Sequence, residues 1–232
     1  MLKYIINIGF LLVFTVSFGQ ENQKSEEKKD TIIYKTGYGL RLGADISKPI
    51  IAAFDKNYSG FEIVGDYRIK KNWYLAAELG FEEKTTEEDF TNSTSKGTYI
   101  KLGANVNSYN NWLDMNNEVY LGFRYGFSIF EQTLNSYTPN VNSQYFPASL
   151  ISAPQTETGL TAHFTEFIFG MKVETLKNLF ISVSASYKIM LSVKDQKNFK
   201  TLYVPGFNRV FESKTGFGFN YTISYLIPFI QK

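Results

Sequence analysis

The sequence contains no cysteine. Disulfides, thiolate catalysis, cysteine-ligated zinc and a cysteine-borne lipid anchor are thereby excluded together. Charge of one sign is also scarce: 24 Lys and Arg stand against 22 Asp and Glu, a net charge of +2. A nucleic-acid binder needs a basic stripe, and none is present, so no nucleic-acid partner is expected. Long hydrophobic runs are missing beyond the first few residues. After residue 19 no uncharged apolar stretch reaches the ~18 residues of a transmembrane helix. Histidine occurs once, at His163. The acidic run Glu82, Glu83, Glu87, Glu88 and Asp89 lacks the spacing of a calcium loop and reads as a solvated, self-repelling segment. No cofactor and no metal site is expected.

Aromatic residues are abundant, at 17% of 232 residues, with 21 Phe and 16 Tyr. Such loading suits strands and membrane interfaces. Residues 1–19 carry Lys3, an apolar core from Ile5 to Val16, and the small residues Ser17 and Gly19 before Gln20. This predicts a secretory signal peptide cleaved between Gly19 and Gln20. Residues 20–36 are charged and aperiodic, which predicts a flexible periplasmic tail.

From residue 37 the pattern changes to strict alternation. In T-G-F-G-F-N-Y-T-I-S-Y-L-I-P-F, Phe217, Phe219, Tyr221, Ile223, Tyr225, Ile227 and Phe229 share one face, and Gly, Asn, Thr and Ser share the other. A strand repeats every two residues, so each such segment has an oily side and a small, polar side. Eight segments of this kind begin near Tyr38, Phe61, Trp73, Tyr99, Glu118, Glu166, Leu179 and Thr215. Each is about ten residues long, the length with which a tilted strand crosses a bilayer. Tight connections at Lys70–Asn72 and Glu174–Asn178 alternate with long ones at Lys48–Gly60, Glu83–Gly97, Ser128–His163 and Met190–Lys214; Asn107–Asn117 is intermediate. Short turns at one rim and long loops at the other are the pattern of an outer-membrane barrel, with both termini periplasmic.

Volume decides which face points out. The oily faces carry about 40 residues, too many for the narrow lumen of eight strands. The other faces are small or charged and do fit. The expected fold is an all-β, eight-stranded, antiparallel up-and-down transmembrane β-barrel over 37–232, with a polar, mostly plugged lumen. Arg41, Asp45, Glu62, Asp66, Arg68, Glu78, Glu82, Lys101, Glu118, Arg124, Glu166, Lys172 and Lys188 all point inward in this reading. In a narrow, low-dielectric space they should pair with one another. Tyr38, Trp73, Tyr187, Tyr221, Tyr225 and Phe229 are read as the interfacial aromatic girdle.

In strand count, loop asymmetry and an aromatic last strand, residues 37–232 resemble the small outer-membrane barrels of the OmpA and OmpX kind. They are also similar to Gram-negative outer-membrane barrel families labelled only as of unknown function. Such families usually end on an aromatic residue that the insertion machinery recognises; here Ile230, Gln231 and Lys232 follow Phe229. The resemblance implies an outer-membrane location in contact with lipid and lipopolysaccharide.

For function, the expectation is a non-enzymatic barrel with no catalytic or ligand-binding residues. It would serve as a structural or accessory subunit of an envelope complex, in protein assembly or transport, meeting another outer-membrane or periplasmic protein through its long loops. Two alternatives stand beside it. One is a lipid-modifying enzyme using His163, which lies beside Thr161, Thr165 and Glu166. The other is a narrow, porin-like pore. The segments 128–163 and 199–211 are too apolar for free loop tips, and either a lid or a docking surface would account for them.

Overall fold

The computed structural model describes residues 37–111, 115–139, 149–152 and 154–231. The predicted signal peptide, its Gly19/Gln20 cleavage site and the charged tail lie outside the described residues. The chain folds as β1 (Gly37–Asp45), α1 (Ser47–Phe54), β2 (Tyr58–Lys70), β3 (Trp73–Glu88), β4 (Thr91–Asn107), β5 (Glu118–Tyr137), β6 (Gln155–Leu176), β7 (Leu179–Val193), a short hairpin of β8 (Tyr203–Val204) and β9 (Asn208–Arg209), and β10 (Thr215–Gln231). β1 to β7 and β10 form a closed barrel in which each strand pairs with its sequence neighbour and β10 closes on β1. All these pairings are antiparallel. No helix of the described residues is long and apolar enough to cross a membrane. Here the strands cross instead, and closure leaves no sheet edge along most of the wall.

The register fixes the geometry. From Phe217 the partners run through Tyr187, Phe167, Phe123, Ala104, Leu75, Tyr67 and Leu40 back to β10 at Ile227. The path returns ten residues displaced, a stagger that tilts the strands by about 35–45°. Every residue on it belongs to the outward, oily set, and most are exposed. The wall presents an unbroken apolar surface of Leu, Ile, Phe and Tyr, which only lipid can cover without cost.

Two predicted loops prove to be largely strand, and a third is mostly helix. β3 and β4 continue through 83–97 as one hairpin, paired as far as Glu88↔Thr91. β5 and β6 fill much of 128–163, paired as far as Leu134↔Gln155. The connection 48–60 holds α1 and the start of β2. These extensions are polar on their outer side, so no hydrophobic alternation marks them. Backbone ladders and β-branched threonines build them instead. Thr85, Thr94, Thr133 and Thr156 form one rung across four strands, with hydroxyls 2.9 Å apart in the first pair and 2.8 Å in the last.

The interior is not polar throughout. Its outer end is an apolar core of Phe130, Leu160, Ala162, Phe164, Met190, Val204 and Phe207. At this end the structure departs from the expected polar lumen. Phe130, Leu160 and Ala162 sit in the strand extensions, and Phe164 lies at the base of the β6 extension. There the interior is covered by the 194–214 segment, so apolar side chains are favoured.

Large inward rings need small residues beside them. A Cβ built on Gly80 would lie 2.2 Å from the Tyr99 hydroxyl, which occupies the space in front of this glycine on the neighbouring strand. Gly80→Val is expected to destabilise the barrel by about 1–3 kcal/mol through overpacking. A lowered urea midpoint of the heat-modifiable gel band would show it; an unchanged midpoint would place the Tyr99 ring elsewhere.

Candidate functional site

The inward residues of the eight strands meet along the barrel axis in three layers. At the inner end Arg41 donates from Nη1 to Glu118 Oε1 (2.7 Å), from Nη2 to Oε2 (3.1 Å), and from Nε to Asp66 Oδ1 (2.6 Å). Lys172 holds the other oxygen of Asp66 at 2.5 Å. The Arg41 guanidinium also lies 4.7 Å from the Tyr74 ring centre and 5.0 Å from that of Phe180. A planar, always-charged fork suits such two-sided pairing and stacking.

The middle layer centres on Lys101, which is 2% exposed. Its ammonium lies 3.1 Å from Glu78, 3.2 Å from Glu62 and 3.5 Å from Glu166. Arg124 adds a second cation to Glu78 at 2.9 Å, and Lys188 one to Glu166 at 3.3 Å. Glu166 Oε1 sits at ion-pair distance from both lysines without a geometric hydrogen bond. Interior cavities of about 50 and 20 Å³ remain between and below these layers.

The outer layer is built on Glu82, which is fully buried. Lys48 of α1 donates to its Oε1, as does the Tyr58 hydroxyl (3.1 Å). The Tyr203 hydroxyl and the Gly206 amide, each at 2.8 Å, donate to Oε2. One carboxylate therefore ties the helix, the top of β2 and the β8–β9 hairpin together. Burial, then the neighbouring Glu82 charge, pushes the Tyr203 hydroxyl well above its ordinary pKa, so it stays a donor. Lys188 completes the attachment by donating to the Gly206 carbonyl at 2.8 Å. Gly206 has φ +83°, and a Cβ there would lie 2.7 Å from the Tyr99 ring. Beyond the helix, Asp55 accepts from Lys84 Nζ at 2.5 Å and from the Asn57 amide at 2.9 Å. These bonds lower its pKa, the Lys84 bond most. The Asp55–Lys84 clamp is thus fully present above the ordinary carboxylate range and is lost as pH falls through the lowered value.

Of the thirteen inward charges read from the sequence, eleven lie in these three layers. Asp45 accepts from the Ser47 amide (2.8 Å) and hydroxyl (2.6 Å) and from Asn220 Nδ2 (2.7 Å), so it takes the first amide of α1 from just outside the helix. Arg68 lies at the inner rim, donating to the Lys71 carbonyl and stacking over Tyr38 and Tyr74. Lys48 is the participant that sequence reasoning missed. Trp73, Tyr187, Tyr221, Tyr225 and Phe229 are exposed on the outer face. Tyr38 instead stands beside the rim arginine, next to a register shift at Gly39.

His163 is on the outer wall. Its Nδ1 is 2.7 Å from the Tyr125 hydroxyl, and its ring packs 4.8 Å from that of Phe127. Glu166, three residues on, faces the lumen. Strand alternation thus separates the histidine from the carboxylate that was to orient it.

A closed antiparallel wall, apolar outside and ionic within, defines an eight-stranded outer-membrane barrel. The chain belongs to the family described as Domain of unknown function (DUF6048), whose model matches residues 1–232. No curated protein matches it. It is similar to the solved structure of Neisserial surface protein A (NspA), at TM-score 0.43 and 12% identity, covering 83% of this chain and 99% of that one. It is also similar to Ail, the attachment invasion locus protein of Yersinia pestis, at TM-score 0.40 and 11% identity, covering 84% of this chain and 99% of that one.

Proposed function

We propose that this chain is a non-enzymatic outer-membrane barrel that acts as a structural or accessory subunit of an envelope complex. Its partner, a second outer-membrane protein, meets it at the sheet that stands above the lipid. The observation that carries this reading is strand length. β3 and β4 have 16 and 17 residues, and β5 and β6 have 20 and 22. Crossing a bilayer needs about 9–11. About a third of β3 and β4 and about half of β5 and β6 are therefore spent outside the membrane, in a rigid four-stranded palisade that takes up half of the barrel wall. Ladders this long cost chain entropy to order, and a barrel needs none of them to stay inserted. They present a fixed surface, which is what a docking partner requires.

The lumen supports the same reading. Its acidic side chains are paired with cations or hydrogen-bond donors, its cavities are large enough for isolated waters only, and the β8–β9 hairpin is packed into the outer mouth. We read it as closed, a strut rather than a pore. Placement of His163 against Tyr125 and Phe127 on the outer wall, away from Glu166, favours a non-catalytic role for this residue.

The test is affinity purification in mild detergents, comparing the natural chain with one whose β3–β4 and β5–β6 hairpins are shortened to membrane height. One partner should co-purify with the natural barrel and be lost from the shortened one, while both keep the heat-modifiable mobility of a folded barrel. Recovery of the natural barrel alone from several detergents would overturn the proposal.

A further inference from the structure

β1 is the short strand of the wall. Its ladders with both neighbours end on one rung, where Asp45 pairs with Thr222 of β10 and with Glu62 of β2. A last backbone bond runs from the Ile46 amide to the Tyr221 carbonyl at 2.8 Å. Above it, residues 215–220 of β10 pair with β7 alone, and residues 58–61 of β2 pair with β3 alone. The outer half of the barrel thus has a notch one strand wide. Helix α1 stands in that notch, packed against both β2 and β10.

The sequence explains the change from strand to helix. Asp45 captures the Ser47 amide and hydroxyl, turning the chain at the first helical residue. Pro49 has no amide to give to a ladder but is tolerated in the first turn of a helix. The short helix S-K-P-I-I-A-A-F is two-sided. Ser47 and Lys48 are buried, and Lys48 reaches through the wall to Glu82 and to within 3.9 Å of Glu62. Ile50, Ile51 and Phe54 look outward and are 50%, 46% and 87% exposed. On either side of the notch the wall shows Phe61 of β2 and Phe217 and Phe219 of β10, all more than half exposed. The apolar side of α1 is continuous with this lipid-facing belt.

We propose that α1 is an in-wall helix of the outer leaflet: it replaces the missing outer half of β1, and lipid acyl chains cover Ile50, Ile51 and Phe54. A helix pairs its backbone within itself except at its ends, and here Asp45 takes the first amide while the Asp55 amide closes on the Ile51 carbonyl at 2.8 Å, so α1 can stand at membrane depth where a continued open loop could not. Lys48 pins it from the lumen side, and lipid seats it from the other. The proposal rests on the barrel spanning a bilayer, and it adds a lateral seam held by side chains and lipid rather than by a ladder.

The absence of cysteine gives a direct test. Ile51→Cys and Phe54→Cys variants, with Phe219→Cys as the lipid-facing reference and Glu87→Cys as the water-facing one, are spin-labelled and reconstituted in phosphatidylcholine vesicles. Collision with oxygen, which partitions into lipid, is compared with collision with a water-soluble nickel chelate. The oxygen-to-nickel ratio at 51 and 54 should group with Phe219 and exceed that at Glu87 several-fold. Where the two helix sites differ, Phe54, the more exposed, decides. Grouping with Glu87 while Phe219 reports lipid would overturn the in-wall helix. Grouping of Phe219 itself with Glu87 would instead overturn the membrane placement.

Discussion

Lys101→Met should destabilise the folded barrel by about 3–5 kcal/mol, the range for removing one partner from a buried ion pair. Lys101 is the cation nearest to Glu62 and to Glu78's second oxygen, and it shares Glu166 with Lys188. Methionine keeps most of the side-chain volume, so the loss reads charge rather than packing. Three carboxylates would then crowd one another, with Arg124, Lys188 and Lys48 left to neutralise them. Urea titration of the heat-modifiable form in lipid vesicles measures the change. A second substitution, Glu166→Gln, should recover part of it, because Glu166 Oε1 depends on ion pairing rather than on a hydrogen bond. The control is Lys96→Ala. Lys96 lies 3.8 Å from Glu83 with both side chains about half exposed, and such pairs contribute about 0–1 kcal/mol. If Lys101→Met costs no more than Lys96→Ala, the axis is not held by its charges.

The strands and their faces were legible because period-two alternation is a strong signal where one side meets lipid and the other a narrow lumen. The ladder tops were not legible, since Thr85, Thr94, Thr133 and Thr156 carry no hydrophobic period. Lys48 left a trace that could have been followed. The inward set read from the strands had seven carboxylates and six cations, one cation short of balance. In a low-dielectric interior that shortfall implies a cation from outside the strands. Lys48, first residue of the predicted loop after β1, supplies it to Glu82. Phe164 and Phe207 were hidden for another reason. Each lies in a segment with no period of its own, and they become core only when the 194–214 segment folds back over the strand extensions, a long-range contact that local pattern does not encode. His163 shows the limit of proximity along the chain: three residues from Glu166, it lies on the opposite face.

Phe207→Ala should release the β8–β9 hairpin while leaving the barrel intact. Each strand of this hairpin has two residues, too few to hold by backbone pairing. Side chains hold it: Val204 and Phe207 are fully buried, the Phe207 ring meets Phe164 edge-on at 5.6 Å, and Glu82 binds Tyr203 and Gly206. Truncating a buried phenylalanine costs about 3–5 kcal/mol. Because the hairpin opens independently of the wall, that cost falls on local opening rather than on global unfolding. A thiol placed at the buried Val204 position by Val204→Cys, in a chain with no other cysteine, reports it. Adding Phe207→Ala should raise the rate of maleimide modification by about 100-fold, the factor expected for about 3 kcal/mol. The heat-modifiable mobility should stay that of a folded barrel. Equal modification rates in the two backgrounds would mean that the hairpin does not depend on the apolar core at the outer mouth. Loss of the folded band would mean that hairpin and wall are a single cooperative unit.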